Sequence, residues 1–211
     1  MKIAIYGSGG YGREILREIQ SLNEATEIIF VETYPKENKI HGFRNVSHNS
    51  FVSEFKGFKF LMAIADFESR KKISQELLDE GFIPHDHFAK SSIVSSRNNI
   101  AEGCIFNSMS MVTDNVVIGK FCQINIYSYI AHDCKVGDYV TFAPKVSCNG
   151  NIEIKDNAYL GTGAIIRQGD SNNPLIIGKG AVVGMGAVVT KNVSDGETVV
   201  GNPAKPIKHK S

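Results

Sequence analysis

The sequence predicts an α/β + β architecture: a small Rossmann-like parallel α/β domain over residues 1–85, then a parallel β-helix over residues 86–211. Strand and helix patterns alternate in the first segment, whereas apolar residues recur every six positions in the second. The chain has 211 residues, 42% of them hydrophobic, enough for a real core. Its 23 Lys+Arg against 22 Asp+Glu give a net charge of +1, without the basic excess on which nucleic-acid binding draws.

The run KIAIY reads as a short strand, and the glycine turn GSGGYG follows it. REILREIQSL then sets Ile15, Leu16 and Ile19 on one helical face. EIIFVE and FKFLMAIA read as further strands, and ESRKKISQELLDEG as a second amphipathic helix stopped by Gly81. Such alternation builds a parallel sheet with covering helices. The apolar run before Gly7 is too short for a signal peptide, and no window reaches the ~20 apolar residues of a membrane span. A soluble, cytoplasmic protein without membrane contact is expected.

The second period is countable. Steps of six from Ile100 meet Phe106, Val112, Ile118, Ile124, Ile130 and Val136, and continue without a polar residue to Ile166. A second inward position, from Cys104 to Ala164, is always small or aliphatic. Three hexads make one triangular coil, so residues eighteen apart stack on adjacent coils. The phase breaks at RQGDSNNPL and resumes at Ile177, which predicts a loop expelled from a corner. Cys104, Cys122, Cys134 and Cys148 all fall on inward positions and none forms a CxxC pair, so they read as reduced core filler and no metal site is expected.

The hexads, HDCKVGD, GMGAVVTKNV and the terminal VVGNPAKPI together resemble the left-handed β-helix acyltransferases. With GSGGYGREI at its front, the whole chain resembles the NeuD/PglD family of sugar O- and N-acetyltransferases. The resemblance implies a left-handed coil, a homotrimer, and acetyl-CoA as co-substrate in the groove between neighbouring β-helices. Acyl transfer needs a base for the attacking amine or hydroxyl and a donor for the oxyanion. The resemblance places that base at His132, whose hexad position turns it outward, and an imidazole suits proton transfer near pH 7. Asp133 is the candidate to orient the ring. Gly150, eighteen residues on, stacks one coil above with its N–H where a thioester carbonyl would lie. Asn125 matches a family asparagine that orients the acceptor's amino group. The implied acetyl-CoA contacts are Thr141, Gly150, Thr162, Met185 and Gly186, with Lys205 or Lys208 toward the phosphates. Gly161 and Gly184 also suit hexad corners, which accept small residues.

In the first segment, GSGGYG fits G-x-G-x-x-G through Gly7, Gly9 and Gly12, and Glu32 lies twenty residues beyond Gly12, as in an NAD fingerprint. Only ~85 residues accompany it, with no second mononucleotide half, so hydride chemistry is set aside. The same turn cradles the diphosphate of a nucleotide sugar. The resemblance puts Gly9, Gly10 and Tyr11 near sugar or phosphates, Glu32 and Thr33 at the base and ribose, and Ala65 and Glu68 on a second contacting loop. Arg13 and Arg70 are candidates for phosphate. His85 and His87, in FIPHDHFAK, read as linker residues without a metal role.

The expected activity is acetyl-CoA-dependent N-acetylation of a nucleotide-linked 4-amino-4,6-dideoxy sugar for surface glycans. Sialic acid O-acetylation and a non-catalytic β-helix scaffold are the alternatives.

Overall fold

The computed structural model describes residues 1–207. The chain divides into two compact units, Met1–Lys90 and a second beginning at Ser91, so the first runs five residues beyond the expected boundary.

The first unit runs β1 (Lys2–Tyr6), α1 (Gly10–Leu22), β2 (Glu27–Glu32), β3 (Lys39–Ile40), β4 (Phe43–Ser47), α2 (His48–Glu54), β5 (Lys59–Met62), α3 (Phe67–Asp79) and β6 (Ile83–Pro84). Its sheet order is β3-β4-β2-β1-β5-β6, parallel throughout except for the β3–β4 pair. The sequence pattern did not mark β3, β4 or α2. They are short, and what sets α2 is a local cap, Ser47 Oγ accepting from the Ser50 N–H. The central strands bury Ile3, Ile5, Ile29, Phe30 and Phe60 completely or nearly so, and α1 lays Ile15, Leu16 and Ile19 against them. The inward face of α3 is unlike that of α1: it buries Arg70 and Ser74 beside Leu77.

The second unit is a left-handed parallel β-helix with three faces. Two-residue strands stack eighteen residues apart, Gln123–Ile124 on Thr141–Phe142 on the first face and Tyr129–Ile130 on Ser147–Cys148 on the second. On the third face Lys135–Val136 pairs with the strand at Glu153–Ile154. Phe106, Ile124, Ile130, Phe142 and Leu160 line the axis with no exposure, as do all four cysteines. Above Ile154 the partner is Ile177, so five extra residues leave the coil, and they do so at the corner between the second and third faces. Each corner places one residue in left-handed backbone, recurring every six positions from Gly103 through Met109, Asn115, Phe121, Tyr127 and Asp133 to Gly163. Two edges of the prism matter below. One, between the second and third faces, carries His132, and the other, between the first and second, carries Asn125.

Candidate active site

His132 occupies the corner after Ile130, the residue that fills the axis, so the coil turns its side chain outward, 50% exposed. Asp133 follows it in left-handed backbone at φ 59°, which swings the two neighbouring side chains toward each other. His132 Nδ1 lies 2.7 Å from Asp133 Oδ2. A carboxylate accepts only, so Nδ1 carries the proton of this hydrogen bond, and in the neutral ring that tautomer leaves the lone pair on Nε2. Asn115, one coil below, donates through Nδ2 to Asp133 Oδ1 at 2.6 Å. That hydrogen bond, ahead of the one from His132, holds the Asp133 carboxyl below its ordinary range, so it is ionised at neutral pH.

Gly150 sits directly above. A Cβ built on it would lie 2.6 Å from His132 Cε1 and 2.7 Å from Nε2, so only glycine lets the ring occupy this place. Its carbonyl accepts from Gly169 N–H at 3.0 Å, while its own N–H has no acceptor among the described residues. A backbone donor beside an imidazole base is the pairing that acyl transfer uses. The expelled loop begins from this corner, with Asp170 Oδ1 accepting the N–H groups of Asn172 and Asn173. A groove of about 380 Å³ opens beside Asp133, lined by Asn115, Lys135, Asn151 and Ser171.

The other expected residues lie elsewhere on the prism. Asn125 is on the neighbouring edge, its Nδ2 donating to Phe142 O at 2.9 Å. Above it on that edge stand exposed Thr162, whose carbonyl accepts from Gly186 N–H at 2.8 Å, and Met185, 81% exposed. Gly186 has φ +66° with open space around it. Lys205 is exposed on a strand antiparallel to Thr198–Val200, and Val200 packs over Gly184. The two edges are one face apart, six residues of extended chain or about 20 Å at most. A single chain therefore does not bring Asn125, Thr162 and Met185 to His132. Thr141 is a correction: only 7% exposed on the first face, it has no open surface for acetyl-CoA. Lys208 lies outside the described residues.

In the first unit the glycine turn and Glu32 do meet. Gly7 takes φ +101°, and a Cβ on Gly12 would lie 1.9 Å from Gly7 O, which binds helix to strand. Gly9 and Gly10 face open space at the start of α1, where free N–H groups favour an anion. Ser8 Oγ donates to Glu32 Oε1 at 2.5 Å, and Asn45 Nδ2 to Oε2 at 2.7 Å, so Glu32 is held rigidly beside the turn. Arg13 Nη1 reaches Ser8 O at 3.1 Å and keeps its charge over the turn. Thr33, Ala65 and Glu68 are exposed, the last two flanking Asp66, which caps α3.

Two expectations change here, at Arg70 and His87. At half-buried Tyr11, desolvation, partly opposed by Arg70 and reinforced by Glu18, pushes the phenol well above its ordinary range. Arg70 is 1% exposed and donates to Ile64 O at 3.2 Å, so it braces the loop before α3 and does not meet solvent phosphate. His87 is wholly buried with Nε2 2.9 Å from Glu18 Oε2, a fixed part of the first unit and not of a linker. Among the described residues, no group of three or more His, Cys, Asp or Glu is placed to hold a metal ion. Nor is any helix there long and apolar enough to cross a membrane.

Residues 2–77 match the PglD N-terminal domain, and residues 115–150, which contain the His132 edge, match the bacterial transferase hexapeptide of six repeats. GDP-perosamine N-acetyltransferase of Escherichia coli O157:H7 is 43% identical over 97% of this chain and 95% of its own length. The chain belongs to the PglD-type family of sugar acetyltransferases. WeeI from Acinetobacter baumannii AYE superposes with a TM-score of 0.94 at 41% identity, covering 98% of this chain and all of that one. The acetyltransferase domain of PglB from Neisseria gonorrhoeae FA1090, solved with acetyl coenzyme A, gives 0.90 at 26% identity over 98% of each chain. Both structures share the two units with this chain, and the Escherichia coli relative is an N-acetyltransferase, so the scaffold alternative loses its main support.

Proposed function

We propose that this protein transfers the acetyl group of acetyl-CoA to the 4-amino group of a GDP-linked 4-amino-4,6-dideoxy sugar. The observation that carries the proposal is the outward His132, fixed by Asp133 through Nδ1 and facing Gly150 across the coil. The guanine nucleotide follows the Escherichia coli relative, which matches almost the whole chain and acts on GDP-perosamine.

His132 Nε2 takes the proton as the amine nitrogen attacks the thioester carbonyl carbon. The oxyanion meets the Gly150 N–H, and collapse of the adduct expels the CoA thiolate, which receives the proton from His132. The α1 N-terminus with Gly9 and Gly10 receives the diphosphate, and the fixed Glu32 reads base or ribose.

The site is completed by a second copy in a homotrimer. Two features support this: the Asn125, Thr162 and Met185 edge is separate from the His132 edge, and the face between them is apolar and open. Ile93, Met111 and Ile165 share that face at 60%, 38% and 44% exposure. Closed rings of identical subunits bring one edge of each prism against the other edge of the next. A cytoplasmic location accords with free, buried cysteines and a co-substrate that is a cytoplasmic metabolite.

The test is mass-spectrometric detection of acetylated product from GDP-, UDP- and dTDP-linked 4-amino sugars. Acetylation of the GDP sugar is expected, with His132→Ala lowering kcat about 10²–10⁴-fold at nearly constant KM for acetyl-CoA. Acetylation of free sialic acid alone, or full turnover by His132→Ala, overturns the proposal. Light scattering should give three chains per particle, and Met111→Lys with Ile165→Lys should give one.

A further inference from the structure

We propose that Asn115 is a positioning residue for the acetyl transfer, acting on His132 only through Asp133. It rests on the assignment of His132 as the base. Asp133 is not locked by its own backbone, since its carboxylate is 44% exposed at a corner with solvent beside it. Two bonds fix it, and they use different oxygens: Oδ2 takes His132 Nδ1–H and Oδ1 takes Asn115 Nδ2–H. A carboxylate held at both oxygens cannot rotate without losing one bond. The imidazole bound to it then keeps its tautomer and its plane.

The coil geometry sets this contact. Asn115 is one turn of the prism below Asp133, and both occupy the left-handed corner position, at φ 54° and 59°. Their side chains therefore leave equivalent backbone in the same direction, one coil apart. The acid next to Asn115 is engaged elsewhere: Asp114 Oδ1 receives Arg97 Nε at 2.5 Å. The Asn115 side-chain amide meets Asp133 at the mouth of the groove lined by both residues with Lys135 and Asn151.

The experiment is a double-mutant cycle with Asn115→Gly and Asp133→Gly, glycine being chosen because both sites need left-handed backbone. Asn115→Gly should lower kcat about ten-fold while KM for acetyl-CoA stays within about two-fold. In the Asp133→Gly background, the same substitution should change kcat by less than about two-fold, since the group it acts through is gone. The isosteric Asn115→Asp, which lacks the donor, should lose at least as much as Asn115→Gly, and a thermal midpoint near that of the parent separates either loss from unfolding. Nitrogen-15 shifts of His132 should show the Nδ1–H tautomer fully populated in the parent and mixed in Asn115→Gly. An unchanged kcat in Asn115→Gly, or an equal loss in both backgrounds, overturns the proposal. Failure of the base assignment itself is read separately, from His132→Ala retaining turnover.

Discussion

The two units bury different kinds of polar group. The β-helix takes in uncharged ones, Asn107, Ser110, Gln123 and Ser128, and keeps charged side chains out of an axis filled mainly by residues such as Ile124, Ile130, Phe142 and Leu160. The α/β unit takes in basic side chains: Arg70 and His87 lie inside, as does Ser74, and Glu18 pairs with His87. A narrow prism has no room for water or for the several hydrogen bonds that a buried charge demands. A helix on a sheet does have that room: Glu18 holds α1 to His87, and Arg70 holds α3 to the Ile64 carbonyl before it. The same residue types therefore signal chemistry in one unit and architecture in the other.

Substitutions can break that contrast, and the largest effect belongs to the axis. Ile130→Ala, directly before the His132 corner, should cost about 3–4 kcal/mol in chemical denaturation, since neighbouring coils above and below prevent collapse of the cavity. An effect under about 1 kcal/mol would mean that the prism repacks more freely than its stacked columns suggest. Gly150→Ala comes next. Its φ is ordinary, so the backbone tolerates it, but the methyl displaces the imidazole and should lower kcat about 100-fold with the fold intact by circular dichroism. Arg70→Met tests the buried cluster: about 2 kcal/mol of stability should be lost, with the unbraced Ile64 carbonyl as the cause. In the second unit Arg97→Met, at a solvent-exposed pair with Asp114, should leave the thermal midpoint unchanged.

A further effect is one of pH. Burial, reinforced by His87, Lys59 and the N-terminus, lowers the His85 imidazole from 6.5 to about 4. Between those values the unfolded chain binds a proton that the folded chain refuses, so stability present above pH 6.5 falls away as pH drops toward 4. The loss amounts to roughly 1–2 kcal/mol once its partial exposure is allowed for. Denaturation of the parent and of His85→Asn across that window should show a flatter profile in the variant.

Legibility follows the same division. The inward columns, the outward turn of His132 and the stacking of Gly150 above it could be counted from residue numbers, because a coil of eighteen residues makes spacing equivalent to position. Asn115 was open to the same count, eighteen residues before Asp133, yet nothing in the sequence singles it out from Asn151 or Asn157 on similar corners. In the α/β unit, spacing found the glycine turn and its partner Glu32, but the inward Arg70, the half-buried Tyr11 phenol and the Glu18–His87 pair follow from how α1 and α3 pack on the sheet. The sequence offered Arg70 to phosphate and not to the core, since an arginine pays heavily for burial unless partners that are distant in sequence receive it.

By itself the sequence determined the prism, the place of His132 on its edge, and the glycine turn at the head of α1, because each rests on local period or backbone freedom. The tertiary structure decided the rest. It separated the Asn125 edge from the His132 edge, closed Thr141 off, drew Arg70 and His87 inside, and joined Asn115 to Asp133. In the α/β unit such contacts have no fixed spacing along the chain, and in the coil, where spacing fixes position, burial and the side-chain bonds still depend on which neighbours meet.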